Sequence, residues 1–424
     1  MLRASALLGD ELVTNEARGK AGKRASKKPQ SGSVEAQPRQ PLTDTSSRDI
    51  YRVVIIACIA MAAGMACSRP LWISADRLYP PVPILNVSTT SFALSAVLLS
   101  ALLVALVVSA LPKVPVWCRV VPVGIIAVLV ALDQSRFQPW IFMYAVILLV
   151  AAFASRIEGR NAGILMTLRF MLAAQYFWSG LQKANDSFIE QVWPTFADPL
   201  FGALHLPLSA GHAAGFVVPL LEVAVGCCLF VPRTRRIGVI GACVTHATIL
   251  ASLLASGENI AVWAWNVAMP LFDFVLFWNA TSVPWTVSSI RRFPQGIAFG
   301  LLVGVLPALS FVGYWDSYPS WALYSGNTAQ AVVVIDPAAL NTLPDVLRRN
   351  TWQQSRPMFI DLNRWSFDEL QVPIYPEPRV FRAVGRYLCN TRTAAAVALV
   401  ILGRPDWRTG QRDRTRLQCT DPTW

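Results

Sequence analysis

Eight side chains lie in otherwise apolar stretches yet have chemistry of their own: Arg169, Gln175, Tyr176, Lys183, Glu222, His246, Asn266 and Asp273. A charged group inside a bilayer costs roughly 3 kcal/mol on insertion scales, so it faces a bundle interior or a cavity rather than lipid. Arg169, Tyr176 and Lys183 are seven residues apart and so share one face of a helix. Lys183 stands where an apolar run stops, in "QYFWSGLQKANDSF". A lysine between water and an apolar interior can act as a base, because desolvation disfavours the ammonium form. Glu222 and His246 would then orient a substrate or relay protons. Lys183, His246 and Glu222 are therefore the candidate catalytic residues, and Arg169, Tyr176, Trp263 and Asn266 the candidate substrate-binding residues. Each also has a plainer reading. An Arg–Glu pair can fix helix register, with Glu222 satisfying Arg169 or approaching Lys183. A histidine can be a hydrogen-bonded core residue, Trp263 and Trp265 can belong to an interfacial belt, and a boundary lysine can simply snorkel.

The elements that must position these residues are membrane helices. Apolar segments fall at about 52–68, 92–111, 120–132, 139–154, 163–181, 213–231, 237–256, 259–278 and 295–314, which makes nine candidate spans. Lys113 and Arg119, Arg156 and Arg160, "RTRR" at 233–236, and Arg291 and Arg292 fall in alternate connections. The intervening connections are poor in Lys and Arg: "GEN" at 257–259 has none and "DQSRFQPW" has only Arg136. The positive-inside rule then puts the N-terminus in the cytoplasm and the C-terminus outside. The fold class expected is an all-α polytopic membrane helix bundle, about nine spans, N-in/C-out, with a small C-terminal extramembrane α+β domain. Residues 1–48 read as a disordered basic tail, 49–315 as the bundle and 316–424 as the extracytoplasmic domain. Within that domain "QAVVVI" and "AAAVALVILG" read as strands, "LPDVLRR" and "PRVFRAVGRYL" as short helices. The aromatics at 314, 315, 318, 321 and 324 read as an interfacial collar or, alternatively, as a cover for the cavity near Lys183. Asn327, in "SGNT", reads as a turn residue.

Composition agrees. Of 424 residues 54% are hydrophobic and only 15% charged, and the mean hydropathy is +0.44. A soluble chain carries nearer a quarter charged residues. The net charge of +12 does not point to nucleic acid, since the basic residues concentrate in the tail, the short connections and the last stretch of chain. Cys389 and Cys419 are the only cysteines of the expected outer domain and could pair there if that side is oxidising. The three histidines are scattered, and no zinc-like cysteine spacing occurs, so no metal site is expected.

"YFWSGLQKANDSF" resembles the Gly-Leu-x-Lys-Leu-Asn/Asp-x-x-Trp segment of the horizontally transferred transmembrane (HTTM) domain, the membrane core of vitamin K-dependent gamma-carboxylases. Ala184 stands where that pattern has Leu, and Phe188 where it has Trp. "PLLEVAVGCCLFVPRTRRIGVIGACVTHATIL" and "NIAVWAWNVAM" are similar to its later spans, over roughly residues 90–315. The resemblance implies a base at Lys183, one that in the carboxylases deprotonates reduced vitamin K at an extracytoplasmic site. A looser similarity to DoxX-type membrane proteins implies quinone-linked redox work instead. Two functions follow: a membrane enzyme acting on a lipophilic or peptidyl substrate, or a quinone-linked redox or accessory subunit with a membrane partner. A transport or scaffold protein ranks third. The cofactor class left open is a quinone or hydroquinone.

Overall fold

A computed structural model describes residues 45–73, 77–84, 92–154, 160–257, 259–280, 293–353, 358–391, 396–406 and 408–421. Most of the expected basic tail, at 1–44, lies outside the described residues, as do Arg156, Arg291 and Arg292. The helices of the bundle are α1 (Thr45–Cys67), α2 (Arg69–Trp72), α3 (Phe92–Ser109), α4 (Trp117–Leu132), α5 (Pro139–Ala152) and α6 (Arg160–Lys183). They continue as α7 (Trp193–Ala203), α8 (Leu208–Ala214), α9 (Val217–Phe230), α10 (Arg235–Ser256), α11 (Trp263–Asp273) and α12 (Gln295–Gly304).

Among the described residues five helical stretches are long and apolar enough to cross a membrane: Thr45–Cys67, Phe92–Ser109, Arg235–Ser256, Ile260–Trp278 and Gln295–Val312. The bent pair of α8 and α9, kinked by 41°, would make six. All nine expected apolar segments are helical, while length and composition among the described residues do not reproduce nine spans. α5 has only 14 residues, and Ile141, Met143, Tyr144 and Ile147 are fully buried on successive faces. A helix apolar all round is one enclosed by its neighbours. α6 has 24 residues, but Arg169, Gln175 and Gln182 interrupt its apolar run.

The C-terminal part forms an antiparallel sheet of β1 (Gln330–Ile335), β2 (Thr351–Gln353), β3 (Met358–Asp361), β4 (Ala396–Pro405) and β5 (Arg412–Gln418), in the order β2-β3-β1-β4-β5. Helices α13 (Asp345–Arg349), α14 (Leu362–Leu370) and α15 (Pro378–Asn390) accompany it. Val380, Phe381, Val384 and Leu388 form one buried stripe of α15, which packs on β4. The β5 edge is blunted by its charged sequence "RDRTRLQ". Cys389 and Cys419 are joined by a disulfide.

Polar contacts fasten this sheet domain to the bundle. Arg379 binds Asp316 and donates to Gln134 Oε1 at 2.8 Å. Arg404 donates to Glu377 Oε1 at 2.7 Å and to the Trp315 carbonyl at 3.1 Å. Glu369 accepts from the backbone N–H groups of Leu78 and Tyr79 at 2.8 and 2.6 Å. Asp316 is held below the usual carboxylate range. Burial pushes it up, but the hydrogen bonds from Arg379 and Tyr375 and the charges of Arg379 and Arg404 together outweigh that.

Candidate functional site

α6 and α9 approach closely because each presents a glycine to the other. A Cβ on Gly180 would sit 2.6 Å from the Pro219 carbonyl, and one on Gly226 would sit 2.7 Å from the Ala173 carbonyl. Small residues let helix backbones meet where a side chain would hold them apart. This contact brings Lys183, the last residue of α6, to Glu222 in the middle of α9. Lys183 Nζ donates to Glu222 Oε2 at 2.8 Å and to Ser179 Oγ at 2.5 Å. Both side chains are buried, with relative exposures of 11% and 4%. As an ion pair the two side chains carry no net charge. Neutrality makes such burial affordable.

Asn185 ends α6. Its side-chain amide donates to the Gln182 and Ser325 carbonyls, each at 2.8 Å, while its Oδ1 accepts from the Phe188 N–H at 2.9 Å. The same side chain thus closes one helical segment and opens the next. Gln182 is bound by Asn327 Nδ2 at 2.5 Å and donates to Ser310 Oγ at 2.7 Å. Asn327 is therefore more than a turn residue. It ties the chain ahead of β1 to the lysine end of α6.

Two turns before Lys183, Tyr176 Oη lies 2.6 Å from Asp273 Oδ2 and 2.8 Å from His246 Nε2. His246 Nδ1 lies 2.8 Å from Asn266 Oδ1, and Asn266 Nδ2 donates to the Val262 carbonyl at 2.9 Å. α6, α10 and α11 each supply part of this chain.

Lys183, Glu222, Tyr176, His246 and Asn266 line a cavity of about 160 Å³ between α6, α9, α10 and α11, whose other walls include Trp193, Phe196, Trp265, Trp321, Leu323 and Tyr324. Phe196, Leu323 and Tyr324 also line a larger cavity of about 860 Å³ against the sheet domain. The Phe196 and Tyr324 rings meet edge to face at 4.9 Å. Trp321 and Tyr324 have φ of +63° and +55°, a left-handed conformation that bulky residues rarely hold. Of the expected aromatic collar, Tyr318 and Trp321 are buried and only Tyr314 is largely exposed. Trp321 and Tyr324 take the alternative place, over the cavity, because the chain after Val312 folds back onto the bundle.

Of the candidate residues, Lys183, Glu222, His246, Tyr176 and Asn266 meet around one cavity. Arg169 and Trp263 are not among its walls. Arg169 Nε donates to the Leu276 carbonyl at 2.6 Å, so Glu222 goes to Lys183 alone. Asp273 and Ser179 had no assigned role in the site before the fold was known, whereas Trp321 and Tyr324 stood there only as the alternative to an interfacial collar. For Asp273 the signal was present, a carboxylate within an apolar run. Among the described residues no group of three or more His, Cys, Asp or Glu side chains is placed to hold a metal.

Residues 161–262 match the family model of the methylamine utilisation protein MauE. That finding overturns the resemblance to the HTTM domain, and with it the looser one to DoxX-type proteins. The short motif that carried the resemblance lies inside the matched stretch. The expectation of carboxylase-like chemistry, which rested on that motif, is withdrawn with it. No curated protein and no solved structure matches the chain. Together with the apolar helices, the match makes this chain a multi-pass integral membrane protein.

Proposed function

We propose that this protein is an accessory membrane component of methylamine utilisation or a similar oxidative process, and that it binds the single-ring head of a small lipophilic molecule of the quinone or hydroquinone class. The observation that carries this reading is the cavity of about 160 Å³, apolar and aromatic on most sides, with the Lys183–Glu222 pair and the hydrogen-bonded Tyr176 and His246 in its wall. A cavity of roughly 150 Å³ is large enough for a benzene ring. Apolar walls with a few convergent polar groups are the common form of a small-molecule site. Lys183, Glu222 and His246 would exchange protons with the ligand oxygens, and Tyr176 and Asn266 would orient the head.

The sidedness proposed is N-terminus in the cytoplasm and sheet domain outside. The alternation of basic connections supports it, and so does the Cys389–Cys419 disulfide, a bond typical of oxidising compartments. A partner protein would then meet the chain at the sheet domain. A peptidyl ligand is the second reading, favoured by Asn259. This residue lines the larger cavity, is 3% exposed, and among the described residues has no hydrogen-bond partner for either amide atom.

The test uses Trp193, Trp265 and Trp321, which all line the cavity. The full chain in lipid nanodiscs is titrated with short-chain ubiquinone and menaquinone analogues while tryptophan fluorescence is recorded. Saturable quenching, weakened at least tenfold in Glu222→Gln and His246→Ala, is the expected result. Linear quenching that is the same in all three proteins would reject the quinone reading.

A further inference from the structure

Tyr176 has one hydroxyl hydrogen and two close neighbours. Asp273 Oδ2 is 2.6 Å from its oxygen and His246 Nε2 is 2.8 Å from it. The imidazole tautomer follows from the far side of the ring. Asn266 Nδ2 donates to the Val262 carbonyl, so Asn266 Oδ1 faces His246 Nδ1, which must carry a hydrogen. In a neutral imidazole Nε2 is then an acceptor. An ionised Asp273 beside a neutral His246 would leave two acceptors competing for one hydrogen. One of the two contacts would then set lone pair against lone pair.

Asp273 is fully buried, and Tyr176 and His246 are 4% and 8% exposed. At such depth an unmade hydrogen bond is not compensated by bulk water, and an unpaired charge is costlier still. The other ionisable groups bearing on the chain are Glu222 and Lys183, which neutralise one another, and Cys243.

We propose that Asp273, Tyr176 and His246 form a buried relay holding one extra proton, with Asp273 as its reservoir behind Tyr176. Two arrangements satisfy every contact. In the first, the Asp273 carboxyl O–H donates to Tyr176 Oη and the Tyr176 O–H donates to His246 Nε2. In the second, the Tyr176 O–H donates to the Asp273 carboxylate and an imidazolium Nε2–H donates to Tyr176 Oη. Each proton moves across one hydrogen bond between the two, and the net charge is zero in both. The first is the resting form. Among the described residues Asp273 Oδ1 has no hydrogen-bond partner, which a carboxyl group tolerates better than a carboxylate.

The relay can serve the cavity because Tyr176 and His246 line it and Asp273 does not. An anionic ligand oxygen takes the Tyr176 hydroxyl hydrogen while Asp273 returns one to Tyr176 Oη. One O–H bond forms on the ligand, one is broken and remade at Tyr176, and Asp273 is left as a carboxylate. Only the identity of this recipient rests on the reading given above. Asp273 acts through Tyr176 and is a positioning residue.

The proton is measured without any ligand, so a failure to bind quinones leaves this test intact. Infrared spectra of the full chain in nanodiscs are compared in H2O and D2O. The wild type is expected to show a buried carboxylic-acid C=O band that is lost in Asp273→Asn and shifted but retained in Tyr176→Phe. Should Asp273→Asn not fold, 15N NMR of the wild-type histidines reads the same proton from the other end. His246 Nε2 is then expected to be an unprotonated acceptor. Absence of the acid band together with a doubly protonated His246 would overturn Asp273 as the resting reservoir, the proton then lying on the imidazole. A carboxylate at Asp273 together with a neutral His246 would overturn the proposal.

Discussion

Lys183 and Glu222 are 39 residues apart in sequence, yet Lys183 Nζ donates to Glu222 Oε2 at 2.8 Å beneath the segment that carries Trp321 and Tyr324. Neither side chain has enough exposure for water to replace its partner. Removing one member of a buried pair strands the other as an unpaired group and costs about 3–5 kcal/mol, whereas replacing both with apolar residues can be nearly neutral. Lys183→Met and Glu222→Leu should each lower the thermal stability of the solubilised protein sharply. The double variant should recover most of that loss. Additive losses in a double-mutant cycle would mean that the two groups do not depend on each other.

The helix contact that makes the pair is equally specific. A methyl group on Gly226 would meet the Ala173 carbonyl and the Phe177 N–H nitrogen, both at 2.7 Å. Backbone cannot yield as a side-chain tip can, so Gly226→Ala should destabilise by about 1–3 kcal/mol and weaken the Lys183–Glu222 contact as α9 moves away. Among the described residues no atom lies within 4 Å of the same position on Gly124 in α4. Gly124→Ala should therefore be neutral or stabilise by about 0.5–1 kcal/mol. Equal melting temperatures for the two variants would show that the α6–α9 approach is not limiting.

Docking of the sheet domain should weaken in acid. Asp316 is held below the ordinary carboxylate range: burial acts against the charge, and Arg379, Tyr375 and Arg404 together outweigh it. Because the folded value is the lower one, the stabilisation is complete above the unfolded value near ~3.9. It disappears as pH falls through the folded value. Protease sensitivity of the segment around residue 316 should rise in that acidic window in the wild type. In Asp316→Asn the sensitivity should already be raised at neutral pH and change less on acidification. A wild-type profile that stays flat into strong acid would argue against this contact as the clamp.

Cys389 and Cys419 close a loop with a sequence separation of 30. In the chain-entropy picture a link of that size stabilises by roughly 3–4 kcal/mol. Reduction, or Cys389→Ser, should lower the melting transition of the sheet domain, and thiol alkylation in intact cells should leave both cysteines unmodified. Rapid alkylation of both in cells would place the domain on a reducing side and reverse the proposed sidedness.

What the amino-acid sequence determined alone is what depends on near neighbours in the chain. Apolar runs marked the long helices of the bundle, since hydropathy is a local sum, but not the short α2 and α7. "QAVVVI" and "AVALVILG" became strands β1 and β4 because β-branched runs suit a buried sheet. The spacing of Tyr176 and Lys183 put both on the cavity side of α6. Tertiary structure decided the rest. Whether an apolar helix meets lipid or protein is a property of its surroundings, so only the fold shows that the neighbours of α5 enclose it on successive faces. Glu222 chose Lys183 over Arg169 because Gly180 and Gly226 fix where α9 lies against α6. Asp273 joined the site through a tyrosine 97 residues away, and Trp321 and Tyr324 through a chain reversal after the last membrane helix. Partner choice between such elements is set by distances of a few ångströms, and no local pattern in the sequence encodes those distances.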